Sequence, residues 1–374
     1  MTDKSHARIG RRVKKSKLFP LGWERVNNID ADEIAIISLP GSNTDNSKKA
    51  NGFAKMIEEM LTDKDIPIYS IEYNAENRLS VADRIALLKH YNQDISNNSY
   101  KRFHKEDDGY IPNYIREIYE QTLAPRLRDK KGNKASIKLV AQRLNKLVFI
   151  NHCQGSTVSF QLERLMIRDI KKLGYSKHIQ KYLLKQLHNV DIAPVTPIGK
   201  TQTTTFKFAS LSDDRVTSVH TPQTQYIQDR KKEHENYLTN ISQTTDARDK
   251  SLYPFVMNFS VFRPTSNETI FAVNNMYPIE MQKDKALEGI EHVFDSYSDK
   301  DDDYRTKQGD QLSMTLRTVI NWLVKHAKNN KEDLVELPDI FKEKTLSSFI
   351  KRAQKNYYDV KSKEITLLRS RKSR

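Results

Sequence analysis

Apolar positions along the chain follow two alternating patterns. Three short runs, 33–39 (EIAIISL), 67–73 (PIYSIEY) and 146–151 (KLVFIN), are rich in β-branched residues and bounded by polar or turn-forming ones. Runs of this kind predict strands buried on both faces. Around them the spacing becomes helical. Phe53, Met56, Ile57, Met60 and Leu61 follow the Pro-Gly-Ser-Asn-Thr turn at 40–44, and Ile137, Val140, Ala141 and Leu144 share one face of 135–144. Val158, Leu162, Leu165, Met166 and Ile170 form a longer stripe. Further strands are predicted at 190–195, 205–211, 255–262 and 269–273. Leu312, Leu316, Val319, Ile320, Leu323, Val324 and Ala327 mark the clearest helix, with Asp310 placed to cap it. Strands alternating with helices predict an α/β fold: a mostly parallel, doubly wound sheet covered on both faces.

Two stretches interrupt the alternation. Residues 74–134 carry helical patterns at 81–88 and 111–123 and are expected to be a helical insertion. Residues 221–250, dense in Gln, Lys, Asp and Thr, are expected to be a polar excursion. The acidic run 299–303 (DKDDD) lacks the glycine of a calcium loop, where Tyr304 stands, and Asp310 replaces the closing glutamate. It reads as a solvated loop. The expected organisation is a basic N-terminal tail (1–29), one large domain (30–330) and a helical, basic C-terminal tail (331–374).

Composition narrows the function classes. The 374 residues are 37% hydrophobic and 30% charged, with a mean hydropathy of −0.74. No apolar run approaches the roughly 20 residues that span a bilayer, and no apolar segment follows the basic N-terminus, so a cytoplasmic protein is expected. Of the net charge of +15, residues 1–18 carry +6 and residues 351–374 carry +7, leaving the middle nearly balanced at +2. Such ends are expected to give at most weak electrostatic contact with anionic membrane or nucleic acid. Nothing in the sequence sets an oligomeric state. One cysteine excludes a disulfide framework and a Cys-rich zinc site. With 11 glycines and neither GxGxxG nor GxxxxGK[ST], no cofactor or metal is expected.

The informative segment is 147–158, LVFINHCQGSTV. An apolar strand runs into His152-Cys153-Gln154-Gly155-Ser156, and a helix starts at once. This resembles the nucleophile elbow of the α/β-hydrolase superfamily, small-x-nucleophile-x-Gly between a strand and a helix. Gly155 fits the second glycine; Asn151 stands where the first is usual. Cys153 holds the nucleophile position, as in the elbows of dienelactone hydrolases and polyhydroxyalkanoate synthases. A thiol at a helix N-terminus is readily ionised.

The resemblance implies the chain order nucleophile, acid, histidine. It places the acid in FKFASLSDDRV (206–216), at Asp214 with Asp213 in reserve. The base falls at His292, on a loop before the last helix, with His234 as the competitor. His220 lies too close to the acid, His326 lies inside the last helix, and His152 adjoins the nucleophile. The implied oxyanion hole uses the backbone N–H of Gln154 and of Gly41 or Ser42. The expected activity is hydrolysis or acyl transfer on an ester, thioester or lipid-like acyl substrate through a Cys153–His292–Asp214 triad. The alternative is a non-catalytic binding or scaffold protein on the same fold.

Overall fold

The structure is a computed structural model that describes residues 7–13, 22–41, 47–73, 111, 113–196, 199–210, 259–273, 276–277, 281, 293–298 and 307–329. Its strands are β1 (Ala7–Arg12), β2 (Trp23–Val26), β3 (Ala35–Leu39), β4 (Ile68–Tyr73), β5 (Leu147–His152), β6 (His188–Ile192), β7 (Thr204–Ser210), β8 (Phe259–Thr265) and β9 (Glu268–Val273). They form one nine-stranded sheet in the order β2-β1-β4-β3-β5-β6-β7-β9-β8. The central strands, from β4 across to β9, are all parallel. Antiparallel pairing is confined to β1, β2 and β8 at the two sides. The protein is therefore of the α/β type, with a mostly parallel sheet between helices.

The helices are α1 (Ser47–Met60), α2 (Asn113–Thr122), α3 (Ile137–Asn145), α4 (Gln154–Lys172), α5 (Lys177–Leu184) and α6 (Lys307–Asn329). Strand alternation divides the core in two. Even positions such as Ile36, Val148, Ile150, Val190 and Phe206 pack with Phe53 and Ile57 of α1 and with Leu316, Ile320 and Leu323 of α6. Odd positions such as Ile37, Leu39, Leu147 and Phe149 pack with α2, α3, α5 and the Val158–Leu162–Met166 stripe of α4. Local chemistry sets several helix ends. Ser136 and Ser176 each cap a helix with their hydroxyl. Gly174, with φ +72°, closes the end of α4.

The expected strands at 33–39, 67–73, 146–151, 205–211 and 269–273 all form. That at 190–195 begins earlier and stops at Ile192, because Ala193 turns to a positive φ of 45°. α6 begins three residues before Asp310, which sits in the first turn instead of capping it. The 111–123 pattern is α2, and it belongs to the core: Tyr114, Ile115, Ile118 and Tyr119 are buried. The N-terminal tail needs the larger correction. Residues 7–12 are β1, paired with β4 on one side and β2 on the other, and Ile9 is buried. Its arginines break any apolar strand pattern, yet their long stems let the heads reach carboxylates at the surface, Arg11 with Glu33 and Arg12 with Glu58. Residues 81–88, 221–250, 299–303 and 331–374 lie outside the described residues. No described helix is long and apolar enough to cross a membrane.

One buried cation ties the α2–α3 connection to the sheet. Arg126, in the short turn Ala124–Leu127, is fully buried. Its guanidinium donates to the carbonyls of Ala31, Arg143, Asp30 and Glu33, at 2.8 to 3.2 Å. Burial pulls its pKa down to about 10, so it stays charged at neutral pH. Replacing Arg126 by Met would remove a donor from four carbonyls, three of them on the approach to β3, with Asp30 O keeping the Glu33 N–H. The expected cost is about 3 kcal/mol, within the range for orphaning buried polar groups. Urea denaturation checks it: the midpoint should fall with an unchanged m-value.

Candidate functional site

The two connections that reverse direction define the site. β3 leads into α1 on one face of the sheet, whereas the adjacent β5 leads into α4 on the other. Neighbouring strands whose helices depart to opposite faces leave a crevice at their C-terminal ends, where ligands of open α/β sheets bind. Cys153 sits there.

Its backbone is unusual. Cys153 has φ 50° and ψ −117°, and only Ala193 shares a positive φ among the described non-glycine residues. A non-glycine residue held there is strained, and strain of this kind persists only where its surroundings impose it. Several contacts do. The Cys153 N–H donates to Ile192 O at 3.0 Å. The Cys153 carbonyl accepts from the Ser156 N–H at 3.0 Å and from Ser156 Oγ at 2.7 Å. Ser156 Oγ accepts in turn from the Val195 N–H at 3.2 Å. The turn therefore hangs between β5, the end of β6 and the first turn of α4.

Glycine is required at one point and closely fitted at a second. A Cβ on Gly155 would lie 2.0 Å from the carbonyl oxygen of Leu39, so α4 can begin this close to β3 only with no side chain there. A Cβ on Gly41 would lie 3.0 Å from both Cys153 Cβ and His152 Nδ1. The turn after β3 thus lies directly against the elbow. Pro40, one residue earlier, is held by the buried Tyr73 hydroxyl, which donates to its carbonyl. Burial, with Tyr114 and Cys153 alongside, pushes the Tyr73 phenol well above its usual range, so it acts as a donor. Tyr73 stacks on Tyr114 with centroids 5.5 Å apart.

His152 points to the opposite face from Asn151, as strand alternation demands. Its ring meets Phe53 of α1 at 6.0 Å and Phe294 at 5.9 Å, and those two rings meet edge to face at 4.6 Å. Phe294 opens the turn Phe294–Tyr297, whose Tyr297 hydroxyl accepts from the Ser210 N–H at the end of β7. The ends of β5 and β7 and the 294–297 turn accordingly share one rim.

Of the residues implied by the sequence, the structure brings together Cys153, Gln154 and Gly41. Ser42, Asp213, Asp214, His220, His234 and His292 lie outside the described residues. His326 is inside α6, stacked on Trp322 at 5.1 Å and near His188, away from the elbow. Sequence reasoning missed Tyr73, whose only trace was an aromatic at the end of a strand pattern. It also missed the buried partner of Asn151. That side chain donates to Asp191 at 2.7 Å. No group of three or more His, Cys, Asp or Glu among the described residues stands together as a metal site. A separate cleft of about 490 Å³ opens between α2 and α4, lined in part by Arg116, Arg128, Arg168 and Asp169, at the far end of α4 from Cys153.

No model of a known protein family matches the chain, and no curated protein matches it either.

The two glycines should respond differently to alanine. Gly155→Ala drives a methyl into a backbone carbonyl, and is expected to cost about 1–3 kcal/mol, as overpacking does. Gly41→Ala needs shifts of a few tenths of an ångström, and should cost less than about 1 kcal/mol while slowing alkylation of Cys153. Urea midpoints and iodoacetamide labelling rates measure the two effects. Equal destabilisation by both changes would contradict the contact geometry.

Proposed function

We propose that the protein is an acyl-transferring enzyme of α/β-hydrolase type, acting on an ester, thioester or lipid-like acyl group with Cys153 as nucleophile. The observation that carries this reading is the strained conformation of Cys153 at a strand–helix junction at the switch point of the sheet. A serviceable nucleophile needs that backbone: it lifts the side chain off the sheet and aims the free N–H groups of the helix start at the same space. A structural cysteine has no use for such strain.

In the proposed reaction the Cys153 sulfur attacks the acyl carbonyl carbon. A C–S bond forms, and the carbonyl π pair moves to oxygen, which the backbone N–H of Gln154 and of Gly41 or Ser42 would receive. His292 takes the thiol proton and passes it to the leaving oxygen or sulfur as its bond to the acyl carbon breaks. Water, deprotonated by His292, then attacks the thioester and releases the acid and the thiol; another acceptor in place of water gives acyl transfer. Asp214 orients the imidazole and stabilises its cation. The assignments of His292 and Asp214 rest on chain order. They are supported by described neighbours: Phe294, two residues after His292, packs on His152, and β7 ends four residues before Asp214 on the same rim. The helix N-terminus favours the thiolate.

Turnover of p-nitrophenyl acyl esters and an acyl thioester by purified variants tests the reading, with circular dichroism to confirm folding. Cys153→Ala should abolish turnover and His292→Ala should be nearly as damaging. Asp214→Asn should lower it by about 10–1,000-fold, less than the roughly 10⁴ seen for a serine nucleophile. Asp213→Asn should have little effect. Iodoacetamide should label the single cysteine of the native protein near neutral pH. Labelling only after denaturation would show a packing thiol and end the proposal.

A further inference from the structure

We infer that Asn151 and Asp191 form a positioning pair behind the elbow, which holds the strand end carrying Cys153 and couples its thiol to the buried charges beneath β6 and β7. The inference rests on the reading of Cys153 as a nucleophile. It also supplies a reason for Asn151 standing where an elbow usually has glycine.

Asn151 is two residues before Cys153 and fully buried on the α4 side of the sheet. The parallel register sets it opposite Asp191, and Asp191 opposite Lys207. The three side chains therefore form a row across the strands. Asn151 Nδ2 donates to Asp191 Oδ1 at 2.7 Å, and the next residue, Ile192, accepts the Cys153 N–H at 3.0 Å. One side-chain bond and one backbone bond thus fasten the elbow to the same two residues of β6. A buried polar pair is costly compared with apolar packing, and here it occupies a place where a small residue would fit the fold.

The pair is built to sense charge. Burial pushes Asp191 up, Lys207 from β7 and the Asn151 bond pull it down, and Glu268 from β9 and Glu163 from α4 push it up again, leaving its pKa at about 6. Lys207 is already engaged, its Nζ 2.5 Å from Glu268 Oε1. Glu163 is buried under three donors, the N–H groups of Gln202 and Thr203 and the Thr203 hydroxyl. Asn151 Oδ1 has no hydrogen-bond partner among the described residues. An ionised Asp191 accepts from Nδ2, and a protonated one adds a donor that Oδ1 can receive. Either state keeps the tie, while the charge changes within about 10 Å of the thiol, two residues or ~7 Å along the strand. The ionised form opposes a thiolate, so its appearance as pH rises through 6 should hold back Cys153.

Because Cys153 is the only cysteine, iodoacetamide labelling of the full chain from pH 5 to 8.5 reads its thiolate without any substrate. The wild-type rate should flatten near pH 6 before rising again. Asp191→Asn keeps an acceptor but removes the charge. Its profile should rise without the bend, coinciding with wild type at pH 5 and exceeding it about 3–10-fold at pH 7, the size expected of one buried charge at that distance. Asn151→Gly keeps the charge and removes the tie. It should move the bend to higher pH, because the Asn151 bond holds the carboxyl down, and lower kcat for ester turnover about 10-fold with little change in KM. A wild-type profile with no bend near pH 6 overturns the inference even if Asp191→Asn does not fold. So does an Asp191→Asn profile offset equally at every pH, which would mark a purely structural carboxyl. If the bend appears but no ester is turned over, the coupling stands and the acyl-transfer reading falls.

Discussion

The arrangement depends on one close approach, that of Gly155 to the carbonyl oxygen of Leu39. The space left for a side chain there is none, since a Cβ would sit 2.0 Å from that oxygen. With α4 starting this near β3, the chain has a single residue in which to leave β5 and enter the helix. Cys153 is that residue, and its φ of 50° and ψ of −117° are what the shortness of the connection requires. The same approach brings the turn after β3 against the elbow, so Gly41 faces Cys153 for the reason that Gly155 faces Leu39. A site made in this way is rigid because the sheet is rigid. The strained residue has its N–H on β6 and its carbonyl on Ser156, and relaxing it would break both.

α4 also mediates between two unlike halves of the interior. Its Val158, Leu162, Met166 and Ile170 face β3 and β5 and the apolar core. Ser156, Ser159 and Glu163, one and two turns apart on an adjoining stripe, face β6, β7 and the 193–203 connection. There Ser159 donates to Asn189, Asn189 to Thr203, and Thr203 to Glu163. Lys207 and Glu268, almost wholly removed from solvent, pair beside them. Apolar packing would give this half of the molecule more stability per residue, because each buried ion loses hydration that its partner only partly restores. Directional bonds fix the register of three strand ends instead. An elbow held by hydrogen bonds at defined angles needs its neighbouring strands fixed in that way.

Much of this was legible in the sequence. Buried parallel strands announce themselves as short apolar runs rich in β-branched residues, as in IAIIS and LVFIN, because both faces are covered. The elbow was legible because its constraint is local: strand, Cys153, Gly155 and helix are adjacent in the chain. The buried charges were not. Lys207 in TFKFAS and Glu268 in NETIFAV look like solvent-facing members of half-buried strands, and only the fold reveals that each is the other's partner. The N-terminal strand was hidden by its own composition, ARIGRR, since three arginines suggest a tail unless their carboxylates are known. Arg126 is similar: its four acceptors are backbone carbonyls, which leave no mark on the sequence. In each case the missing information is a pairing between distant residues, which periodicity cannot carry.

His152 shows how a local pattern and a distant contact combine at the rim. Alternation along β5 sends Asn151 toward α4 and His152 toward α1, so the two residues before the elbow reach opposite layers. Asn151 reaches the charged row under β6 and β7. His152 enters an aromatic group with Phe53 and Phe294, and through Phe294 and Tyr297 the turn at 294–297 is tied to the end of β7. These contacts fix the rim from the side away from α4. A thiol set between them is braced by both layers of the protein while its own face stays partly open. Under the proposed function, that combination of fixed backbone and partly exposed sulfur is what a nucleophile at this strand end requires, whereas a residue that only packs gains nothing from a strained turn.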